Sequence, residues 1–103
     1  MKALYKLKIE CRNWSGSGLF IEDKEKVEWL LKERPRIYFR NHVSGILDED
    51  DIQMITDDPD ELLVIERLDL EHGINPFWYP TGEFEFVNEA YEAFVQQSAH
   101  PGS

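Results

Sequence analysis

The sequence is short of the residue types from which disulfide frameworks and metal centres are built. Its single cysteine, Cys11, can form no internal disulfide, so a reducing compartment such as the cytoplasm is expected. Its three histidines, His42, His72 and His100, show no metal-ligand spacing. Apolar runs such as 62–65 are too short to cross a bilayer, and the N-terminus lacks the apolar centre of a signal peptide. We therefore expect no disulfide scaffold, no bound metal and no membrane anchor.

Motifs for nucleotide or calcium binding are incomplete. The Gly-Ser-Gly segment at 16–18 lacks the third glycine of a dinucleotide fingerprint and the Gly-Lys-Ser/Thr of a P-loop. In the acidic segment that follows residue 47, Gln53 replaces the glycine of an EF-hand loop and Pro59 replaces its terminal glutamate. These gaps predict a protein without cofactor or catalytic residues. A weak divalent-metal or enzymatic site in the acidic segment is an alternative.

Basic residues are nearly absent from the second half of the chain. Residues 1–47 carry ten basic and six acidic side chains, a net charge of +4. Residues 48–103 carry fifteen acidic side chains and one basic side chain, Arg67, a net charge of −14. Eight of these acids fall within residues 48–61, where no basic residue occurs. Nucleic-acid binding needs a basic footprint, so this distribution predicts no direct DNA binding and favours a positively charged protein partner.

The apolar pattern predicts strands in four places. Period-two alternation is clearest at 3–12, where one face is apolar and the other charged. Further strands are predicted at 36–43, 51–56 and 83–87 from their β-branched and aromatic residues and their alternation. The glycines and serines at 13–18 predict a loop.

Capping residues and helical spacing predict three helices and an α+β fold. The helices are expected at 23–34, at 58–72 and from Asn88 onward, with a β-hairpin as the alternative for the second. The order β-α-β-β-α-β-α then gives a small, mostly antiparallel sheet with two or three helices packed on one face. Residues 1–98 are predicted to form a single globular domain and 99–103 a flexible tail.

A proline-bounded aromatic loop at 76–80 is the second feature with functional potential. Phe77, Trp78 and Tyr79 are adjacent, and a single strand or helix cannot bury three successive side chains on one face. The rings either close one end of the core or leave at least one ring exposed as an anchor for a partner, because aromatic residues dominate interface hot spots.

Dense carboxylates can imitate the phosphates of a nucleic acid. Duplex DNA carries one charge per about 1.7 Å of its axis, and a basic groove built for it also accepts a carboxylate array. The sequence therefore predicts a small acidic inhibitor that occupies the nucleic-acid groove of a basic partner, as phage-borne inhibitors of restriction or CRISPR effectors do; this analogy rests on size and charge. The alternative is an antitoxin, immunity or regulatory module that binds through 76–80. The predicted partner-binding residues are Asp48, Glu49, Asp50, Asp51, Asp57, Asp58, Asp60, Glu61, Asp69, Glu71, Phe77, Trp78 and Tyr79.

Overall fold

A computed structural model describes residues 1–11, 14–40 and 43–99, with Cys11, Ser98 and Ala99 described by their backbone only. His42, His100 and the predicted tail beyond residue 99 lie outside the described residues. The strands are β1 (Lys2–Cys11), β2 (Trp14–Asp23), β3 (Ile37–Arg40), β4 (Val43–Gly45), β5 (Ile52–Thr56) and β6 (His72–Gly73). The helices are α1 (Lys24–Glu33), α2 (Pro59–Arg67) and α3 (Val87–Ala99), and Pro76–Trp78 forms a 3-10 turn. The predicted α+β class is confirmed.

In the described part of the chain, the strands form two antiparallel sheets. The larger sheet has the order β5-β1-β2-β6, and β1 pairs with β2 from Lys2 opposite Asp23 to Cys11 opposite Trp14. The smaller sheet is the hairpin of β3 and β4. The predicted antiparallel sheet is therefore present, although the chain begins with two strands where a strand and a helix were expected.

The loop predicted at 13–18 is wrong for the residues that the structure describes, because they belong to strand β2. A Cβ atom on Gly18 would collide with the backbone of Ile74, whose amide donates to the carbonyl oxygen of Ser17 at 3.0 Å. A Cβ atom on Gly16 would meet the side chain of Ile74. Glycine and serine have low strand propensity, so their pattern indicated a loop. They occur in this strand because another segment packs directly on its backbone.

The main core lies on one face of the larger sheet, beneath α1 and α3. As the period-two pattern predicted, β1 contributes alternate side chains to it, namely Ala3, Tyr5, Leu7 and Ile9. Trp29 of α1 packs edge-on against Tyr91 of α3, with ring centroids 5.5 Å apart. Phe20 of β2 meets Phe77 of the 3-10 turn at 6.3 Å, and both rings are buried. The first contact joins the two core helices to each other, and the second joins the aromatic segment to the sheet.

Helix α2 covers part of the opposite face of the sheet. Leu4 alternates with the core residues of β1 and is nevertheless buried, as is Leu62 of α2, and neither belongs to the main core cluster. Residues 59–67 form a helix, so the prediction of a helix is confirmed and the alternative of a β-hairpin is wrong. Pro59 lies in the first turn of this helix, and Asp58 is its N-cap. The helix is shorter than predicted, because it ends at Arg67, after which the chain turns and His72 enters β6. The helices packed on the core face are therefore α1 and α3.

The strand predicted at 83–87 is wrong. The hydroxyl of Thr81 accepts hydrogen bonds from the amides of Glu83 and Phe84 at 3.3 and 3.1 Å, which holds this segment in a turn. Such local side-chain bonds compete with strand pairing, and the turn leads into α3 at Val87. Among the described residues, no helix is long and apolar enough to cross a membrane.

Candidate functional site

The acidic segment 48–61 divides into two groups at the two ends of β5. The first group forms a turn before the strand and contains Asp48, Glu49, Asp50 and Asp51. The second group follows the strand at the start of α2 and contains Asp57, Asp58, Asp60 and Glu61. Because a strand rises about 3.3 Å per residue, the groups are separated by about 20 Å. Asp51 is half-buried, the other seven acids are exposed, and both groups border the sheet edge formed by β5.

The first acidic group is ordered by its own hydrogen bonds. The amide of Asp48 donates to the carboxylate of Asp51 at 3.0 Å, and the amide of Asp50 donates to the carboxylate of Asp48 at 2.9 Å. The amide of Lys8 donates to the carbonyl oxygen of Asp51 at 3.0 Å and joins the turn to β1. Arg34 lines the same surface concavity, yet none of the ion pairs among described residues involves this turn. The turn therefore holds the carboxylates of Asp48 and Asp51 in place, and its exposed acids are in no ion pair with a described residue.

The second acidic group is partly used by the fold. Asp57 accepts a hydrogen bond from the ammonium group of Lys24 at 2.5 Å, and this bond lowers the pKa of the Asp57 carboxyl. The carboxylate of Asp58 accepts from the amide of Asp60 at 2.9 Å and caps α2, whose N-terminus favours negative charge. Within the described ranges, Asp60 and Glu61 are in no ion pair, so they are the free charges of this group.

Asp69 and Glu71, which were also predicted to bind the partner, occupy different environments. Asp69 is exposed just beyond α2, in the left-handed region with φ 53°. The carboxylate of Glu71 accepts a hydrogen bond from the amide of Ile21 in β2 at 2.7 Å. Glu71 therefore satisfies a backbone donor at the opposite edge of the sheet, and the structure does not bring it together with the acids beside β5.

Apolar side chains are exposed beside both acidic groups, which the charge pattern did not indicate. Leu63 and Val64 of α2, and Leu68 directly after it, are each more than half exposed. Met54 and Ile55 of β5 are 44% and 48% exposed. The available signal was the continuous apolar run in α2, because a helix that packs through one face cannot bury successive apolar residues. A partner on this side would meet apolar surface bordered by carboxylates.

Helix α1 approaches the second acidic group at Lys24, which pairs with Asp57, and the exposed Glu28 lies about one helical turn further along α1. Burial raises the pKa of the Tyr5 hydroxyl, and the neighbouring carboxylates of Glu28, Asp57 and Glu22 raise it further. Glu22 is paired with Lys26 at 3.0 Å, whereas Glu28 is exposed. Glu28 comes from the half of the chain with net positive charge, so a comparison of the two halves missed it.

The aromatic segment divides its rings between the core and the solvent. Phe77 is fully buried, and Tyr79 packs against Phe39 with ring centroids 5.4 Å apart. Trp78 is 58% exposed and contacts the ring of Phe86 edge-on at 5.9 Å. The expected packing into the core therefore applies to Phe77, and the expected exposure of at least one ring applies to Trp78.

Within the described residues, no three histidine, cysteine, aspartate or glutamate side chains are arranged to hold a metal ion. The chain matches no protein-family model, no curated protein and no solved structure. Its function is therefore inferred from the chemistry of its own surface.

Proposed function

We propose that the chain is a non-catalytic protein that binds a basic protein partner through the carboxylates beside β5. The observation that carries this proposal is that exposed carboxylates at both ends of β5 are in no ion pair among the described residues, including Asp48, Glu49, Asp50, Asp60 and Glu61. Attraction between opposite charges makes such association fast and sensitive to salt.

We further propose that the partner binds nucleic acid and that the carboxylates occupy the places of its phosphates. A duplex about 20 Å long carries about 12 phosphates. The segment 48–61 offers eight carboxylates, of which Asp57 is paired with Lys24. Exposed apolar side chains such as Leu63 and Met54 add contacts that a phosphate backbone does not provide. Occupation of the groove inhibits the partner, and the single cysteine fits the cytoplasm as the place where this occurs.

The test is capture of a partner on the immobilised protein, compared between two variants of equal charge. The first, E49Q/D50N/D60N/E61Q, neutralises exposed acids beside β5 that accept none of the hydrogen bonds described above. The matched control, E83Q/E85Q/E89Q/E92Q, neutralises the same number of exposed acids elsewhere. We expect the first variant to lose the partner and the control to retain it, with release of the wild-type complex at about 0.5 M salt.

Competition with duplex DNA tests whether the carboxylates replace phosphates. A partner that DNA displaces has its nucleic-acid groove occupied by the acidic surface. A partner that DNA does not displace contradicts phosphate mimicry but leaves charge-based binding in place. Equal capture by the wild type and by E49Q/D50N/D60N/E61Q contradicts the proposed function itself.

A second candidate function is supported by the exposure of Trp78. An antitoxin, immunity or regulatory module would insert this ring into a pocket of its partner, since tryptophan is enriched among interface hot spots. Trp78→Ala removes the ring, and the core aromatics Phe77 and Tyr79 remain. Loss of capture by this variant, with full capture by E49Q/D50N/D60N/E61Q, would favour the aromatic site over the acidic surface.

A further inference from the structure

Strand β5 forms an edge of the larger sheet, and its register shows which backbone groups face away from β1. The amide of Lys8 donates to the carbonyl oxygen of Asp51, so these two residues form a hydrogen-bonded pair. In antiparallel strands, bonded pairs alternate with non-bonded pairs. Leu7 and Ile52 are the next pair, so the amide and carbonyl groups of Ile52 point outward. The same alternation turns the amide and carbonyl groups of Met54 outward.

No hydrogen-bonded strand or loop pairs with this edge in the described part of the chain, and Met54 is 44% exposed there whereas Ile52 is 7% exposed. None of the loop, turn or side-chain hydrogen bonds found there involves the backbone of Ile52 or Met54. Natural proteins usually protect edges with charged residues, proline or bulges. The sequence of β5, IQMIT, contains no charge and no proline. Its register shift comes only after Met54, so 52–54 offers a regular template for another strand.

The charges at the ends of β5 select what can pair with it. A second copy of the chain in antiparallel pairing would place 48–51 of one molecule against 57–61 of the other. Parallel pairing would place each acidic group against its own copy. Both arrangements bring carboxylates together, and like charges opposite one another destabilise strand pairing. A strand with lysine or arginine at its ends would instead meet opposite charges at both ends.

We propose that β5 binds an extended basic segment of a partner protein as an additional strand of the sheet. This inference rests on the proposed function and narrows it to a segment with basic residues flanking a β-prone centre. Main-chain hydrogen bonds to Ile52 and Met54 supply affinity, and the acids at 48–51 and 57–61 select the basic ends.

The test uses the peptide Lys-Lys-Val-Thr-Val-Thr-Val-Lys-Lys, titrated into the isotope-labelled protein at low salt. We expect saturable binding, with hydrogen exchange at the amides of Ile52 and Met54 slowed about tenfold or more at saturation. Two further peptides carry N-methyl groups on one or the other alternate set of central residues. Only one set of amides in an added strand faces β5, so one N-methylated peptide should bind about tenfold more weakly and the other normally.

Two substitutions at one position separate strand addition from charge attraction. Met54→Pro removes an outward amide and no hydrogen bond to β1, whereas Met54→Thr keeps that amide. We expect Met54→Pro to lower the affinity for the peptide about tenfold. The affinity of Met54→Thr should stay within about twofold of that of the wild type. Should Met54→Pro fail to fold, the pair of N-methylated peptides tests the same hydrogen bonds on the wild-type protein.

The outcomes distinguish this inference from the proposed function. Unchanged binding of both N-methylated peptides would overturn strand addition, and the capture experiment with E49Q/D50N/D60N/E61Q would still decide charge-based binding. Failure of the wild type to bind the unmodified peptide at low salt would also overturn it. Association of the protein with itself through β5, seen as a concentration-dependent mass that Met54→Pro abolishes, would show that a second copy is the occupant and would contradict the inference.

Discussion

The two edges of the larger sheet differ in how their outward backbone groups are hydrogen-bonded. At the β2 edge, β6 pairs with Gly18 and Leu19, and the carboxylate of Glu71 accepts from the amide of Ile21. At the β5 edge, the outward backbone groups of Ile52 and Met54 lie between two acidic groups. Carboxylates therefore have different roles at the two edges. One carboxylate satisfies a backbone donor at its edge, whereas the acids beside β5 accept no hydrogen bond from the outward amides of Ile52 and Met54.

The largest difference between the edges should appear when bulk is added to each. A Cβ atom on Gly18 would collide with the backbone of Ile74, so Gly18→Ala should cost about 1–3 kcal/mol of unfolding free energy. Met54→Thr changes an exposed side chain of β5 and should stay within about 0.5 kcal/mol. Urea unfolding of both variants measures this contrast. Similar free energies of unfolding would contradict the close packing of Ile74 on β2.

Removal of the acceptor at the closed edge should have a smaller effect. Glu71→Ala leaves the amide of Ile21 without its carboxylate partner and should cost about 1 kcal/mol, with faster hydrogen exchange at Ile21. Glu71→Gln keeps an acceptor oxygen and should change the exchange rate much less. An exchange rate at Ile21 that is unaffected by Glu71→Ala would show that this carboxylate does not close the edge.

The ion pair near the open edge should give a pH-dependent difference. The hydrogen bond from Lys24 lowers the pKa of Asp57 in the folded state. A group with a lowered folded-state pKa stabilises the fold above its unfolded pKa of about 4, and this contribution is lost as the pH falls through the folded-state value. At pH 7 the wild type should therefore have a higher melting temperature than Asp57→Asn. This difference should vanish at acidic pH. A difference that persists at about pH 2 would rule out this ion pair as its source.

The smallest expected effect is that of salt on stability. Like charges repel within each acidic group, and the screening length falls to about 10 Å at 0.1 M salt. The melting temperature of the wild type should rise slightly between low and moderate salt. The rise should shrink in E49Q/D50N/D60N/E61Q and persist in E83Q/E85Q/E89Q/E92Q. A melting temperature that falls with moderate salt would contradict repulsion among the acids beside β5.

Local patterns in the sequence predicted the elements whose neighbours agree with those patterns. Strand β1 alternates because one of its faces forms the core, and α2 begins at Asp58 and Pro59 because those residues favour a helix start. Strand β2 was missed because its glycines are explained only by the packing of Ile74, which lies far away in the sequence. The turn after Thr81 was missed because the sequence there alternates as in a strand, whereas hydrogen bonds to the Thr81 hydroxyl hold it in a turn.

The candidate site shows the same division. The positions of the acids could be predicted, because charge is a property of the sequence. Their availability could not, because Asp57 is paired with a lysine 33 residues away and Glu71 bonds to an amide 50 residues away. The exposure of Trp78 beside buried Phe77 likewise depends on the tertiary structure.

Binding through the acids beside β5 is tested most directly by a chemical-shift map of the labelled protein bound to the basic partner that it captures. We expect the largest amide shifts in 48–61, on both sides of β5, and we expect them to diminish as salt is raised. Shifts concentrated at Trp78 and Phe86, or along the β2 edge, with no change in 48–61, would contradict it.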